Sequence, residues 1–152
     1  MTIKEQACCY ETMKHVERVR NLLNQAVRHL LKRGEEHDKT KFAEPELSAY
    51  TEHTPILKTL EYGSPEYIEN ARKLGPALQN HYSKNRHHPE YHKNGIDDMN
   101  LVDLIELFVD WKAASERNKN GNLNLSIEKN GDRFKMSPQL IKIFENSVDL
   151  FE

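Results

Sequence analysis

Apolar residues at Ile3, Ala7, Tyr10, Val16, Val19, Leu23, Ala26, Val27 and Leu30 recur close to a helical period and predict one long opening helix. Thr2-Ile3-Lys4-Glu5 starts it as a capping box, and Gly34 is its natural stop. A short helix should follow from His37 to about Phe42. Glu44-Pro45-Glu46 opens another, with proline in the first turn, and Thr54-Pro55 closes it. Ser64-Pro65-Glu66 repeats the start signal for a helix towards Leu74, which Gly75-Pro76 should break or kink. Ala77 to about His88 reads as helix and Pro89 to Met99 as irregular loop. Asn100 caps a helix from Leu101 to about Asn118, and Asn118 to Asn122 is a break. Leu123 to Met136 fits either a hairpin turning at Asn130-Gly131 or a helix or loop; weak alternation favours the latter. Ser137-Pro138 opens a last helix carrying Leu140, Ile141, Phe144, Val148 and Leu150. The pattern predicts an all-α, single-domain bundle of about six to seven helices.

Composition narrows the picture. A chain of 152 residues can bury a core, but 37% hydrophobic and 30% charged residues make that core economical. A net charge of −2 gives no footprint for duplex nucleic acid or an anionic membrane. No apolar run approaches the roughly 20 residues needed to span a bilayer, and the first residues lack the apolar stretch of a signal peptide. A cytoplasmic protein is expected, or one in the host cytoplasm if a phage encodes it. Cys8 and Cys9 point about 100° apart on a helix, so they should not bridge.

The polar residues that could do chemistry are histidines and acids. His37-Asp38 offers neighbouring ligands for one cation, with Lys41 three residues on. His15 precedes Val19 and Leu22 at helical spacing and should face inward with the apolar stripe; His29 competes with it as an upstream ligand. His81 and His88 would share one face of a continuous helix, roughly 10 Å apart over two turns. That suits groups flanking a site better than one shared ion. Asp103, Glu106 and Asp110 form an acidic stripe that repels itself unless a cation or a base such as Lys41, Arg86 or Arg117 compensates. His53 reads as surface. There is no P-loop, no dinucleotide fingerprint and no setting for a nucleophilic Ser or Cys.

The order His15-Val16-Glu17-Arg18-Val19, then His37-Asp38-Lys39-Thr40-Lys41, then Asp110 resembles the HD superfamily of metal-dependent phosphohydrolases. The resemblance implies an HD-like fold and a divalent ion (Mn, Fe, Co, Ni or Mg), one or two per chain. His15, His37, Asp38 and Asp110 would be the first ion's ligands. His81 with His87 or His88 would serve a second. It also implies hydrolysis of a nucleotide or small phosphate ester by activated water, with Asp38, Lys41 and Glu106 in catalysis. Lys41, Arg86 and His87 would contact the phosphate. Two other classes fit the same residues: a non-catalytic module binding a nucleotide or a partner, and a di-iron oxygenase. The whole chain further resembles an uncharacterised family of small bacterial and phage proteins, through His37-Asp38-Lys39-Thr40-Lys41-Phe42, Asn85-Arg86-His87-His88-Pro89-Glu90-Tyr91 and Met99 to Glu106 followed by Asp110-Trp111.

Overall fold

A computed structural model describes residues 1–60, 64–117 and 121–151. Among them lie seven α-helices, four short 3₁₀ turns and no strand, so the architecture is all-α as expected. None of these helices is long and apolar enough to cross a membrane. The chain divides into two compact units, Met1–Glu36 and His37–Glu152.

The first unit is a single helix, α1 (Ile3–Glu36). Its capping box forms as the sequence predicts: Glu5 N–H donates to Thr2 Oγ1 and the Thr2 N–H to Glu5 Oε2. Two expectations fail. The helix passes through Gly34, and the left-handed residue that follows it is Asp38, at φ 55°. Nor does the apolar stripe form a core, because α1 contains no buried residue and Val16 and Leu23 are 58% and 62% exposed. His15 and His29 are exposed with it.

In the second unit a 3₁₀ turn (Lys39–Phe42) leads into α2 (Glu46–Leu57). Helix α2 runs through Pro55, where the sequence suggested an end; proline there removes one ladder hydrogen bond without stopping the helix. Helix α3 (Pro65–Lys73) starts at Ser64, whose Oγ accepts from Tyr67 N–H at 3.1 Å. Gly75-Pro76 breaks the helix, one of the two expected outcomes, and opens the next one, α4 (Gly75–Lys84). Pro89–Tyr91 and Gly95–Asp98 form 3₁₀ turns inside the expected loop.

Asn100 and Asp103 close a full capping box on α5 (Leu101–Glu116). The expected extension to Asn118, and part of the break after it, lie outside the described residues. Leu123–Phe134 is helix α6, so Asn130-Gly131 sits inside it and turns no hairpin. A side chain at Gly131 would meet Ile141 Cδ1 at 3.0 Å, so α6 and α7 (Pro138–Glu145) approach closely there. Ser137 caps α7 through Leu140 N–H. The apolar core gathers Ile96, Leu107, Phe108, Leu123, Ile127, Met136 and Phe144 between α5, α6 and α7. Trp111 lies edge-on to Phe144 at its margin, with ring centroids 5.8 Å apart.

Candidate metal centre

On the other face of α5 the interior is polar. Leu107 and Phe108 turn to the apolar core, while Glu106 and Asp110 turn towards histidines from His37 and from the α4–α5 connection. Helical geometry separates the two sets, since neighbouring residues point about 100° apart.

His37 and Asp38 form the turn at the start of the second unit. His37 Nδ1 lies 2.9 Å from Glu106 Oε1, and its Nε2 lies 3.5 Å from Asp38 Oδ2 and 3.7 Å from Asp110 Oδ1. Carboxylates of Asp110 and Glu106 on its two ring nitrogens outweigh burial and raise the His37 pKa to about 10. Burial by itself would raise the Asp38 pKa, but the ammonium of Lys41 on Oδ2, helped by His37 and His81, brings it below the ordinary value. Asp110 behaves alike: burial opposes its charge, and His37 with the other imidazoles lowers its pKa overall.

Helix α4 supplies His81, and its end decides where His87 and His88 go. The chain leaves the helix at Asn85, whose backbone is extended and whose Nδ2 donates to His81 O at 2.8 Å. The continuous helix to His88 is therefore absent, and the separation of roughly 10 Å expected from it does not hold. The turn folds His88 back, bringing its Nε2 within 2.9 Å of His81 Nε2. Burial, then His87 and His81, lowers the His88 pKa to about 3, so its imidazole is neutral. His81 is also lowered, chiefly by burial and by Lys41.

Nitrogen and oxygen atoms then converge. His81 Nε2 lies 3.3 Å and His87 Nε2 3.6 Å from Asp38 Oδ1. Asp38, His81, His87 and His88 form one group able to hold an ion, and His37, His87 and Asp110 a second, each with ligand atoms within 4.8 Å of one another. Asp38 Oδ1 and His87 Nε2 are buried and make no hydrogen bond. Buried polar atoms of this kind are rare, because each carries a desolvation cost. Two of them facing each other among imidazoles is the donor arrangement that a divalent cation satisfies.

Two buried carboxylates support the imidazoles from outside. Glu106 Oε1 faces Nδ1 of both His37 and His87, at 2.9 and 3.0 Å. Glu46, wholly buried, faces His81 Nδ1 at 2.8 Å and accepts from Asn80 Nδ2 and Thr40 Oγ1. The sequence reading missed Glu46. As the first residue of α2 it looked like a helix-start acid, and only the fold brings it to a histidine 35 positions away.

Other expectations need correction. Within the second unit His87, expected to touch phosphate, belongs to both ion groups and is 1% exposed. Asp38 groups with His81 and His88, whereas His37 and Asp110 group with His87. The Arg86 guanidinium, expected to bind substrate, grips buried Asp103 through two hydrogen bonds of 3.1 and 2.8 Å. His92 Nε2 donates to the Arg86 carbonyl at 2.9 Å, so this segment is locked on both sides of His87-His88. The acidic stripe of α5 is thus neutralised piecewise, Asp103 by Arg86 and the other two by imidazoles. His53 is half-buried, not a surface residue, and its Nδ1 makes no hydrogen bond.

A family described only as a family of unknown function (DUF5662) matches residues 4–150. The chain belongs to that family. No curated protein matches it, and no solved structure does.

Proposed function

We propose that this member of the DUF5662 family is a metal-dependent phosphohydrolase acting on a nucleotide or other small phosphate ester. The observation that carries the metal is the pair of buried, unbonded atoms, Asp38 Oδ1 and His87 Nε2, ringed by the Nε2 atoms of His81 and His88. An imidazole-rich set favours Mn, Fe, Co or Ni over Mg, which prefers oxygen ligands. A neutral imidazole bonded through Nδ1 has one lone pair left, so His87 can complete only one of the two groups. The fuller group, with Asp38, His81 and His88, is the better holder. His37 and Asp110 leave room beside it for a second, weaker ion or for water.

The phosphate half of the reading rests on the resemblance to HD phosphohydrolases and on charge. Among the described residues, the lining of a cavity of about 570 Å³ includes Lys41, Tyr50 and Lys58 and no carboxylate. Lys41 also bonds Asp38, so one residue joins the cavity to the centre. A bound divalent ion supplies Lewis acidity, acidifying water and drawing charge from a phosphoryl oxygen. Asp38 orients the reacting groups, and Lys41, half-exposed, neutralises phosphate charge as it develops. A small phosphate ester as substrate goes with a cytoplasmic site of action.

Turnover of p-nitrophenyl phosphate, bis-p-nitrophenyl phosphate and nucleoside monophosphates, measured with Mn²⁺, Co²⁺ and Ni²⁺, tests this. Activity that EDTA removes and Asp38→Ala abolishes is expected. Tight metal binding without turnover of any phosphate ester would contradict hydrolysis.

A further inference from the structure

The two outer carboxylates are not equivalent. We propose that Glu106 is a positioning residue for two imidazoles at once, His37 and His87, and that Glu46 does the same for His81 alone. The inference rests on the metal reading for its purpose, but its geometry is independent of it.

An ionised carboxylate only accepts hydrogen bonds. Each ring nitrogen facing Glu106 or Glu46 therefore carries the proton, which fixes Nδ1–H at His37, His81 and His87. Free imidazole in water prefers no single orientation, so the carboxylates select one ring rotation and leave Nε2 facing inward. Glu106 faces two rings with one oxygen: His87, which belongs to both ion groups, and His37, which belongs to one. Glu46 holds one ring, and Thr40 and Asn80 fix the carboxylate itself.

His88 differs from the other three. Among the described residues its hydrogen bond is from Nε2 to His81 Nε2, with no carboxylate on Nδ1. It is the adaptable donor, and must move its proton to Nδ1 before Nε2 can hold an ion. Three imidazoles have the Nδ1 proton preset and one does not.

Glu106 was a candidate catalytic base on sequence grounds. The contacts of Oε1 with Nδ1 of His37 and of His87, together with 7% exposure, place it behind the imidazoles, away from any reacting water. Its part is orientation. Loss of Glu106 should disturb both ion groups, and loss of Glu46 only the one containing His81.

Long-range ¹H–¹⁵N NMR of the metal-free protein reads this directly. Slowly exchanging Nδ1 protons are expected on His37, His81 and His87. Glu106→Ala should lose those of His37 and His87 and keep that of His81; Glu46→Ala should do the reverse. Where an alanine variant fails to fold, Glu106→Gln decides, because its side-chain carbonyl still accepts. It should keep both protons and hold Co²⁺ within about 10-fold of wild type, whereas the alanine variant loses roughly 10- to 100-fold. Protons on Nε2 instead of Nδ1 in the wild type would overturn the proposal. So would a glutamine variant that keeps the protons and the Co²⁺ affinity yet loses all turnover, since that is the behaviour of a base. Nδ1 protons in place with no Co²⁺ binding would leave the orientation standing and sink the metal reading.

Discussion

Helix α5 divides two interiors built on opposite principles. On one side Leu107 and Phe108 join a core in which apolar atoms meet apolar atoms, with Phe108 and Phe144 ring centroids 5.2 Å apart. On the other, Glu106 and Asp110 face imidazoles in a region where two buried atoms have no hydrogen bond. The first arrangement stabilises the fold wherever it occurs. The second costs stability, since buried polar groups repay their desolvation only when fully paired. On the proposed reading, a chain with an economical core keeps such a region for a ligand. The contrast separates what folds the unit from what the unit does.

The largest stability effect should come from the apolar side. Leu107→Ala, at a residue 1% exposed, is expected to cost about 2–5 kcal/mol in urea unfolding. Metal affinity of the folded fraction should be unchanged; a loss of affinity would mean the two interiors are not separable.

Replacing a polar donor by an apolar one should do the opposite. His88→Leu is expected to leave metal-free stability equal to wild type or higher, because burial already opposes charge on this ring. Its Co²⁺ affinity should fall by more than the ~10-fold that even an outer partner is worth. A strongly destabilised His88→Leu with full Co²⁺ affinity would reverse the roles assigned to the two sides.

Arg86 tests the polar side where it is fully paired. Arg86→Ala strands buried Asp103 and should cost ~1–3 kcal/mol in the same unfolding measurement, the guanidinium being partly exposed to water. KM for a phosphate ester should change little, which would distinguish this anchor from the substrate contact expected of it. A KM effect without a stability effect would restore the substrate role.

A last test is the pH dependence of the metal-free protein. His81 and His88 have folded pKa values below the ordinary 6.5, so the unfolded chain binds more protons as pH falls below that value and stability drops. His37 has a folded pKa of about 10; its contribution is complete below 6.5 and is lost as pH rises through 10. Urea midpoints in EDTA should peak near the ordinary histidine pKa, and His37→Gln should flatten the alkaline limb. A wild-type protein with no slope between pH 7 and 10 would remove the His37 pairing.

Most of the fold was legible because helix starts are local chemistry. Ser64-Pro65, Asn100 with Asp103, and Ser137-Pro138 announce α3, α5 and α7 within four residues each. Stops were less legible. Gly34 and Pro55 look like breaks but lie inside helices, and Asn85, the residue that does end α4, carries no strong local signal. The error at Asn85 mattered most, since it placed His88 two turns from His81 when the two nitrogens touch. Residue types at the centre were readable from His37-Asp38, His81, His87-His88 and Asp110. Their grouping was not, nor was Glu46, because both depend on pairs more than 30 positions apart.

Anomalous scattering from crystals grown with Co²⁺ and collected at the cobalt edge tests the central claim most directly. A peak within coordination distance of Asp38 Oδ1 and the Nε2 atoms of His81, His87 and His88 is the predicted result. No peak among these side chains at saturating Co²⁺, or a peak only elsewhere on the chain, would contradict it.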